Sequence, residues 1–137
     1  MGFEVYYPAL GAVALFAILT QIVAVMAGMG KTSRGLVPGS MPVADYSDWL
    51  YRTSRASGNA IETMGIFAAV VGAAVLAGVD PVWVNRLAIG SLVFRIGMVV
   101  THIGGIGKPD RSIRTVFYMG SWLAYTVLAV LTLARVF

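Results

Sequence analysis

The sequence YRTSRASGNAIE, residues 51–62, opens a long apolar segment and decides the interpretation of the fold. Within it, Arg52, Arg55, Asn59 and Glu62 are separated by three, four and three positions. Residues three or four apart share one face of an α-helix, so these side chains are predicted to line up. No charged residue follows until after position 79. The stretch therefore predicts a helix that enters a membrane with two cations, an amide and an acid at its mouth.

Two interpretations of these polar groups stay open on the residues alone. Polar side chains are costly inside a bilayer, which favours a functional site. In the alternative, the arginines are interfacial anchors, while Asn59 and Glu62 form hydrogen bonds between helices.

The composition agrees with an integral membrane protein. The chain has 137 residues, of which 58% are hydrophobic and 12% are charged, whereas a soluble domain carries about 25% charge. Apolar runs of about 20 residues predict an all-α membrane protein with a four-transmembrane-helix bundle in one domain, residues 1–137. The first run is interpreted as a retained span, because no basic segment precedes it. The predicted spans are 5–29, 49–76, 81–104 and 112–137.

Several functional classes are disfavoured. The sequence has no cysteine, which excludes disulfides and thiolate chemistry from the protein itself. A lone His102 without a cluster of acids gives no spacing for a metal site, and no metal is expected. The basic residues lie in short loops between apolar runs, so they predict membrane orientation and no nucleic-acid partner.

The basic residues are strongly biased to one side of the predicted membrane. Only Arg86 and Arg135 lie on the side that is poor in basic residues. The bias places the first and third loops in the cytoplasm and both termini on the opposite side. The cytoplasmic set is Lys31, Arg34, Arg52, Arg55, Lys108, Arg111 and Arg114.

A matching depth predicts an internal ion pair. Glu62 lies ten residues beyond Arg52, and Arg95 lies ten residues before the end of the third span near Gly105. At ~1.5 Å per residue, both are about 15 Å from the cytoplasmic face. Pairing would neutralise two charges that are costly in hydrocarbon, so we predict a Glu62–Arg95 pair. In the alternative, carbonyl groups or water satisfy Arg95.

The pattern Arg52-x2-Arg55-x3-Asn59-x2-Glu62, at the start of the second of four spans, resembles the signature of the MAPEG superfamily. These are the membrane-associated proteins of eicosanoid and glutathione metabolism, and the chain looks most like a microsomal glutathione transferase. The number of spans, the chain length, the basic cytoplasmic loops and Arg95 in the third span all agree with the resemblance.

The resemblance implies a homotrimer of four-helix subunits. It also implies glutathione as a co-substrate, bound between neighbouring subunits near the cytoplasmic face. Arg114 resembles the arginine that activates the glutathione thiol, with Arg111 as the fallback. The implied glutathione-binding residues are Arg52, Arg55, Asn59, Glu62, Arg95 and His102.

Three positions depart from the family pattern. Met98 stands where members often carry tyrosine or histidine, His102 stands where tyrosine is common, and Thr63 replaces a tyrosine found in some members. A methionine offers only a weak acceptor. These departures argue against peroxidase or leukotriene-type chemistry.

Two functions follow as expectations. The first is a membrane-embedded glutathione transferase that acts on hydrophobic electrophiles; the second is a non-catalytic subunit that binds lipid or a larger membrane complex. A proton transporter is disfavoured, because the surrounding cations would hold Glu62 ionised. We expect a multi-pass protein of a bacterial inner membrane with its site facing the cytoplasm.

Overall fold

The computed structural model describes residues 2–109 and 112–137 and shows four long helices, with no strand in those ranges. All four are long and apolar enough to cross a membrane. The predicted all-α, four-span fold is confirmed. After a short 3₁₀ turn, Phe3–Tyr6, the helices are α1 (Tyr7–Ser33), α2 (Trp49–Leu76), α3 (Pro81–Ile103) and α4 (Ile113–Val136).

Capping residues set the helix starts. The side chains of Asp48, Asp80 and Ser112 accept hydrogen bonds from backbone N–H groups in the first turns of α2, α3 and α4. Such caps satisfy donors that have no partner within the helix. Helix α1 continues four residues past its predicted end and stops before Gly35, whose φ of 68° suits glycine.

The bundle has two ends of different character. We call the end with the α1–α2 and α3–α4 loops the basic end, and the end with the α2–α3 turn and both termini the terminal end. The larger apolar core lies toward the terminal end and includes Phe16 and Phe67, whose rings meet edge to face at 5.7 Å. A smaller cluster of Val23, Ala56, Met98 and Val99 lies toward the basic end.

Helices α3 and α4 approach each other closely at two reciprocal contacts. The ring of Phe117 lies against Gly97, and the ring of Phe94 lies against Gly120. A Cβ added to either glycine would come within 2.7 Å of the opposing ring. Small residues at these positions are therefore required for the observed helix separation.

Polar contacts hold the loops at the basic end. Arg34 at the end of α1 donates two hydrogen bonds to the carboxylate of Asp48, at 2.7 and 2.9 Å. These bonds hold the pKa of Asp48 below its usual value, and the backbone N–H of Leu50 acts in the same direction. This pair connects the end of α1 to the start of α2.

Candidate functional site

A cavity of about 200 Å³ lies at the basic end between α2, α3 and α4. It combines cationic, amide, imidazole and aromatic groups near the mouth of an otherwise apolar bundle. Its walls are Tyr46, Arg55, Asn59, Met98, His102, Pro109, Ser112, Arg114, Thr115 and Tyr118.

Four of the residues predicted from sequence line this cavity together. Arg55 and Asn59 come from successive turns of α2, His102 from the last turn of α3, and Arg114 from the first turn of α4. The cavity therefore depends on three helices whose polar ends meet at the same depth.

Arg114 is fixed in place, and only 9% of it is exposed. Its Nε donates to Ser112 Oγ at 2.9 Å, and its Nη2 donates to the carbonyl of Lys108 at 2.7 Å. Its guanidinium carbon lies 5.1 Å from the centre of the Tyr46 ring. Neighbouring groups thus pre-orient the cation, while Nη1 forms no hydrogen bond within the described residues.

Tyr46 is a wall of the site that sequence reasoning missed. Its ring stacks on His102 at 6.1 Å with an interplanar angle of 26°, and meets Tyr51 edge-on at 5.2 Å. It comes from the α1–α2 loop, and no local pattern indicates where that loop returns. The loop is fixed because Arg52 donates to the Tyr46 carbonyl at 2.7 Å.

Arg95 lies beneath the cavity and is 1% exposed. Its Nε donates to Ser121 Oγ and its Nη1 to Asn59 Oδ1, both at 2.8 Å. The Ser121 hydroxyl also forms a hydrogen bond with the Ser91 hydroxyl at 2.7 Å, and the centre of the Tyr118 ring lies 5.1 Å from the guanidinium carbon of Arg95. Arg95 thereby fixes the Asn59 amide at the base of the cavity. Its buried Nη2 has no hydrogen-bond partner among the described residues.

The predicted Glu62–Arg95 ion pair is wrong for a single chain. Across residues 2–109 and 112–137, the one ion pair is Arg34–Asp48. At ~100° per residue, the predicted polar face is about 80° wide, with Asn59 toward its inner edge and Glu62 at its outer edge. Asn59 therefore reaches Arg95, while Glu62 is exposed on the outside of the bundle.

Arg52 lies in an adjoining depression of about 240 Å³ that shares Tyr46 and Arg114 with the cavity. Its guanidinium donates to the carbonyls of Tyr46, Ser47 and Ile103 at 2.7 to 3.1 Å. It joins the α1–α2 loop to the end of α3 and is a structural clamp in this conformation. Arg111, the other predicted catalytic arginine, lies outside the described residues.

The departures at Met98 and Thr63 leave both positions without a hydroxyl for a ligand. Met98 lines the cavity as a largely buried thioether, and the Thr63 hydroxyl donates to the carbonyl of Asn59 at 2.7 Å. No group of three His, Asp or Glu side chains that could hold a metal occurs in the described part of the chain.

Four membrane-spanning helices around an arginine-lined cavity define a class of small polytopic membrane proteins with a polar site at one membrane face. The chain belongs to the MAPEG family, whose model matches residues 6–134 of the 137. It is thus an integral multi-pass membrane protein of the superfamily of eicosanoid and glutathione metabolism. A search of curated proteins gives no match.

Proposed function

We propose that the cavity at the basic end binds glutathione and activates its thiol for attack on a lipophilic electrophile. The observation that carries this proposal is the meeting of Arg55, Asn59 and Arg114 in one cavity. Glutathione presents two carboxylates, an ammonium group and a thiol. Arginine forks suit carboxylates, and an amide can both donate and accept.

Arg114 is the group that would stabilise the thiolate. A free thiol has a pKa of about 8.5, so it is mostly protonated at neutral pH. Each pKa unit of stabilisation corresponds to ~1.4 kcal/mol. The hydrogen bonds from Arg114 to Ser112 and Lys108 hold the guanidinium before the ligand arrives, so little reorganisation opposes the reaction.

The reaction is the formation of a carbon–sulfur bond. The thiol releases its proton to solvent at the open cavity, and the sulfur lone pair attacks an electrophilic carbon. In a substitution, the bond from that carbon to the departing group breaks and its electron pair leaves with that group; in an addition, the π electron pair moves onto the activating substituent, which takes up a proton from solvent. The electrophile is drawn from the bilayer that surrounds the helices.

A neighbouring subunit would complete the site. Pockets for drug-sized ligands measure roughly 300–1,000 Å³, whereas one chain supplies about 200 Å³. Arg55 and Glu62 are exposed on the face of α2 that also presents Gly65, Ala69 and Ala73. Small residues permit close helix packing, and exposed charges in a membrane are costly. The resemblance implies a homotrimer, and if this face of α2 lies between its subunits, Glu62 would meet the glutathione ammonium.

The test combines binding and turnover on the full chain in detergent. Calorimetry should show glutathione binding that Arg55→Ala weakens about 10- to 150-fold, in keeping with a charge-assisted hydrogen bond of about 1.5–3 kcal/mol. An aromatic electrophile should be conjugated at a rate that Arg114→Ala lowers. Arg86→Gln is the matched control, since Arg86 is exposed near the terminal end and does not line the cavity. Absence of glutathione binding by the unaltered protein would overturn the proposal.

A second function is favoured by one observation. Neither Met98 nor Thr63 brings a hydroxyl to the cavity. A non-catalytic subunit that keeps the fold and joins a larger membrane complex would not need a hydroxyl at these two positions. Glutathione binding without conjugation of any tested electrophile, together with a stoichiometric partner after gentle extraction, would support this alternative.

A further inference from the structure

A second cavity lies at the terminal end, on the opposite side of the bundle from the arginine-lined site. Its volume is about 660 Å³. It is formed by the 3₁₀ turn, the end of α2, the start of α3 and the last turn of α4. The aromatic side chains of Phe3, Tyr6 and Trp83 line it together with apolar groups such as Val75 and Leu131.

Specific hydrogen bonds build this cavity. The Tyr6 hydroxyl donates to the carbonyl of Val79 at 2.7 Å. The Asn85 amide donates to the carbonyl of Val5 at 2.8 Å and accepts from the backbone N–H of Ala9 at 3.1 Å. The N-terminal turn is thus attached to α3 and to the α2–α3 turn, so the cavity has a fixed wall.

Two opposite charges line the cavity without pairing with each other. Arg135 comes from the last turn of α4, and Asp80 from the start of α3. Within the described residues, Arg135 forms no ion pair or hydrogen bond. Asp80 uses Oδ1 to accept from the backbone N–H of Val82 at 2.8 Å, which leaves Oδ2 available. The cavity therefore offers a cation and an anion above an apolar and aromatic floor.

We propose that this cavity binds the head group of a zwitterionic glycerophospholipid with a primary ammonium group, that is, the phosphatidylethanolamine class. Arg135 holds the phosphate, and Asp80 accepts from the ammonium. The ester region rests on Trp83 and Tyr6, side chains that favour the membrane interface. The acyl chains continue into the bilayer beside Val75 and Leu131.

Charge complementarity selects this lipid over its neighbours. A phosphoglycerol head group would satisfy Arg135 through its phosphate, but its neutral hydroxyls bring no positive charge to balance the Asp80 carboxylate. A choline head group has no N–H to donate to Asp80. The site needs both a phosphate and a hydrogen-bonding ammonium, and it does not depend on glutathione binding at the basic end.

Native mass spectrometry of the full chain released from nanodiscs tests the assignment. Equal amounts of ethanolamine, choline and glycerol phospholipids with identical acyl chains are offered in competition. We expect about tenfold preference for the ethanolamine lipid. Arg135→Gln should lower binding of all three lipids about tenfold, and Arg135→Lys should restore it.

Asp80→Asn tests the contact of Asp80 with the lipid ammonium without removing the helix cap, because asparagine also caps a helix well. This variant should bind ethanolamine and choline lipids equally while its melting temperature is unchanged. Arg86→Gln is the control, because Arg86 lies near the same membrane face but not in this cavity. Equal binding of the three lipids by the unaltered protein, or identical losses in Arg86→Gln and Arg135→Gln, would overturn the proposal. So would a loss of subunit association in Arg135→Gln, which would show that a second copy fills the cavity.

Discussion

The two ends of the bundle are built by different forces. At the basic end, guanidinium groups join separate segments through carbonyl, hydroxyl and carboxylate oxygens, as Arg52 does with three carbonyls. Toward the terminal end, apolar side chains such as Val84 and Leu128 are fully buried in one continuous cluster. The residues that contribute most apolar burial and the residues of the candidate site therefore lie in different halves of the bundle. Substitutions at one end should leave the other end largely unchanged.

The largest effect on stability is expected from the apolar half. Leu128→Ala removes a side chain with 0% exposure and should cost about 2–5 kcal/mol of the free energy of unfolding. Unfolding in detergent measures this loss. The glutathione affinity of the folded fraction should stay within twofold of the original. A loss of glutathione affinity in the folded Leu128→Ala protein would contradict the proposed independence of the two ends.

The next largest effect is expected on the rate of glutathione conjugation. Arg114→Ala should lower the rate of glutathione conjugation about 10²–10³-fold, which is typical for removal of one pre-oriented charge-stabilising donor. Steady-state kinetics and the ultraviolet absorbance of bound thiolate measure the effect. Arg114→Lys should recover only part of the rate, since lysine lacks the planar fork that contacts Ser112 and Lys108. Unchanged thiolate absorbance in Arg114→Ala would remove Arg114 from the activation step.

Substitution of Tyr46 should have a smaller effect on the rate of conjugation, and it tests whether the α1–α2 loop contributes to the site. Tyr46→Leu removes the ring beneath the Arg114 guanidinium, an interaction of about 0.5–1 kcal/mol at a partly exposed site. Conjugation should slow about two- to fivefold, with the pKa of the bound thiol raised. Tyr46→Phe keeps the ring and should retain the rate. If the phenylalanine variant is as slow as the leucine variant, the hydroxyl matters and not the ring.

The smallest effect is a dependence of stability on pH at the basic end. The pKa of Asp48 is lowered in the folded protein by Arg34, so its stabilisation is fully present above the unfolded pKa of about 3.9. It is lost as pH falls through the lower, folded pKa. Melting temperature measured below pH 4 should therefore fall less in Asp48→Asn, which keeps a capping side chain but cannot titrate. Identical acid profiles would show that the Arg34–Asp48 pair contributes nothing measurable.

Local signals predicted the helices well. Helix α2 begins and ends at the predicted positions 49 and 76, because a capping acid precedes it and a glycine turn follows it. Asp80 followed by Pro81 defines the start of α3 in the same way. These boundaries depend on interactions within a few residues, which a single sequence contains.

The candidate site was predictable in part. Helical spacing placed Arg55 and Asn59 on one face, the family resemblance added His102 and Arg114, and the cavity contains all four. Spacing alone did not tell which edge of a broad polar face turns inward, so Glu62 was assigned to the wrong partner. The contribution of Tyr46 depends on how a long loop folds back, and that is decided by contacts between distant residues.

The paired contacts of Gly97 with Phe117 and of Gly120 with Phe94 also limit how this molecule can move. Each ring fits against a position where even one methyl group would collide, so sliding or rotation of α3 against α4 would lose both fits at once. These two helices therefore behave as a single rigid body. Any widening of the cavity at the basic end is therefore expected on the side of α2 and the α1–α2 loop, and not between α3 and α4.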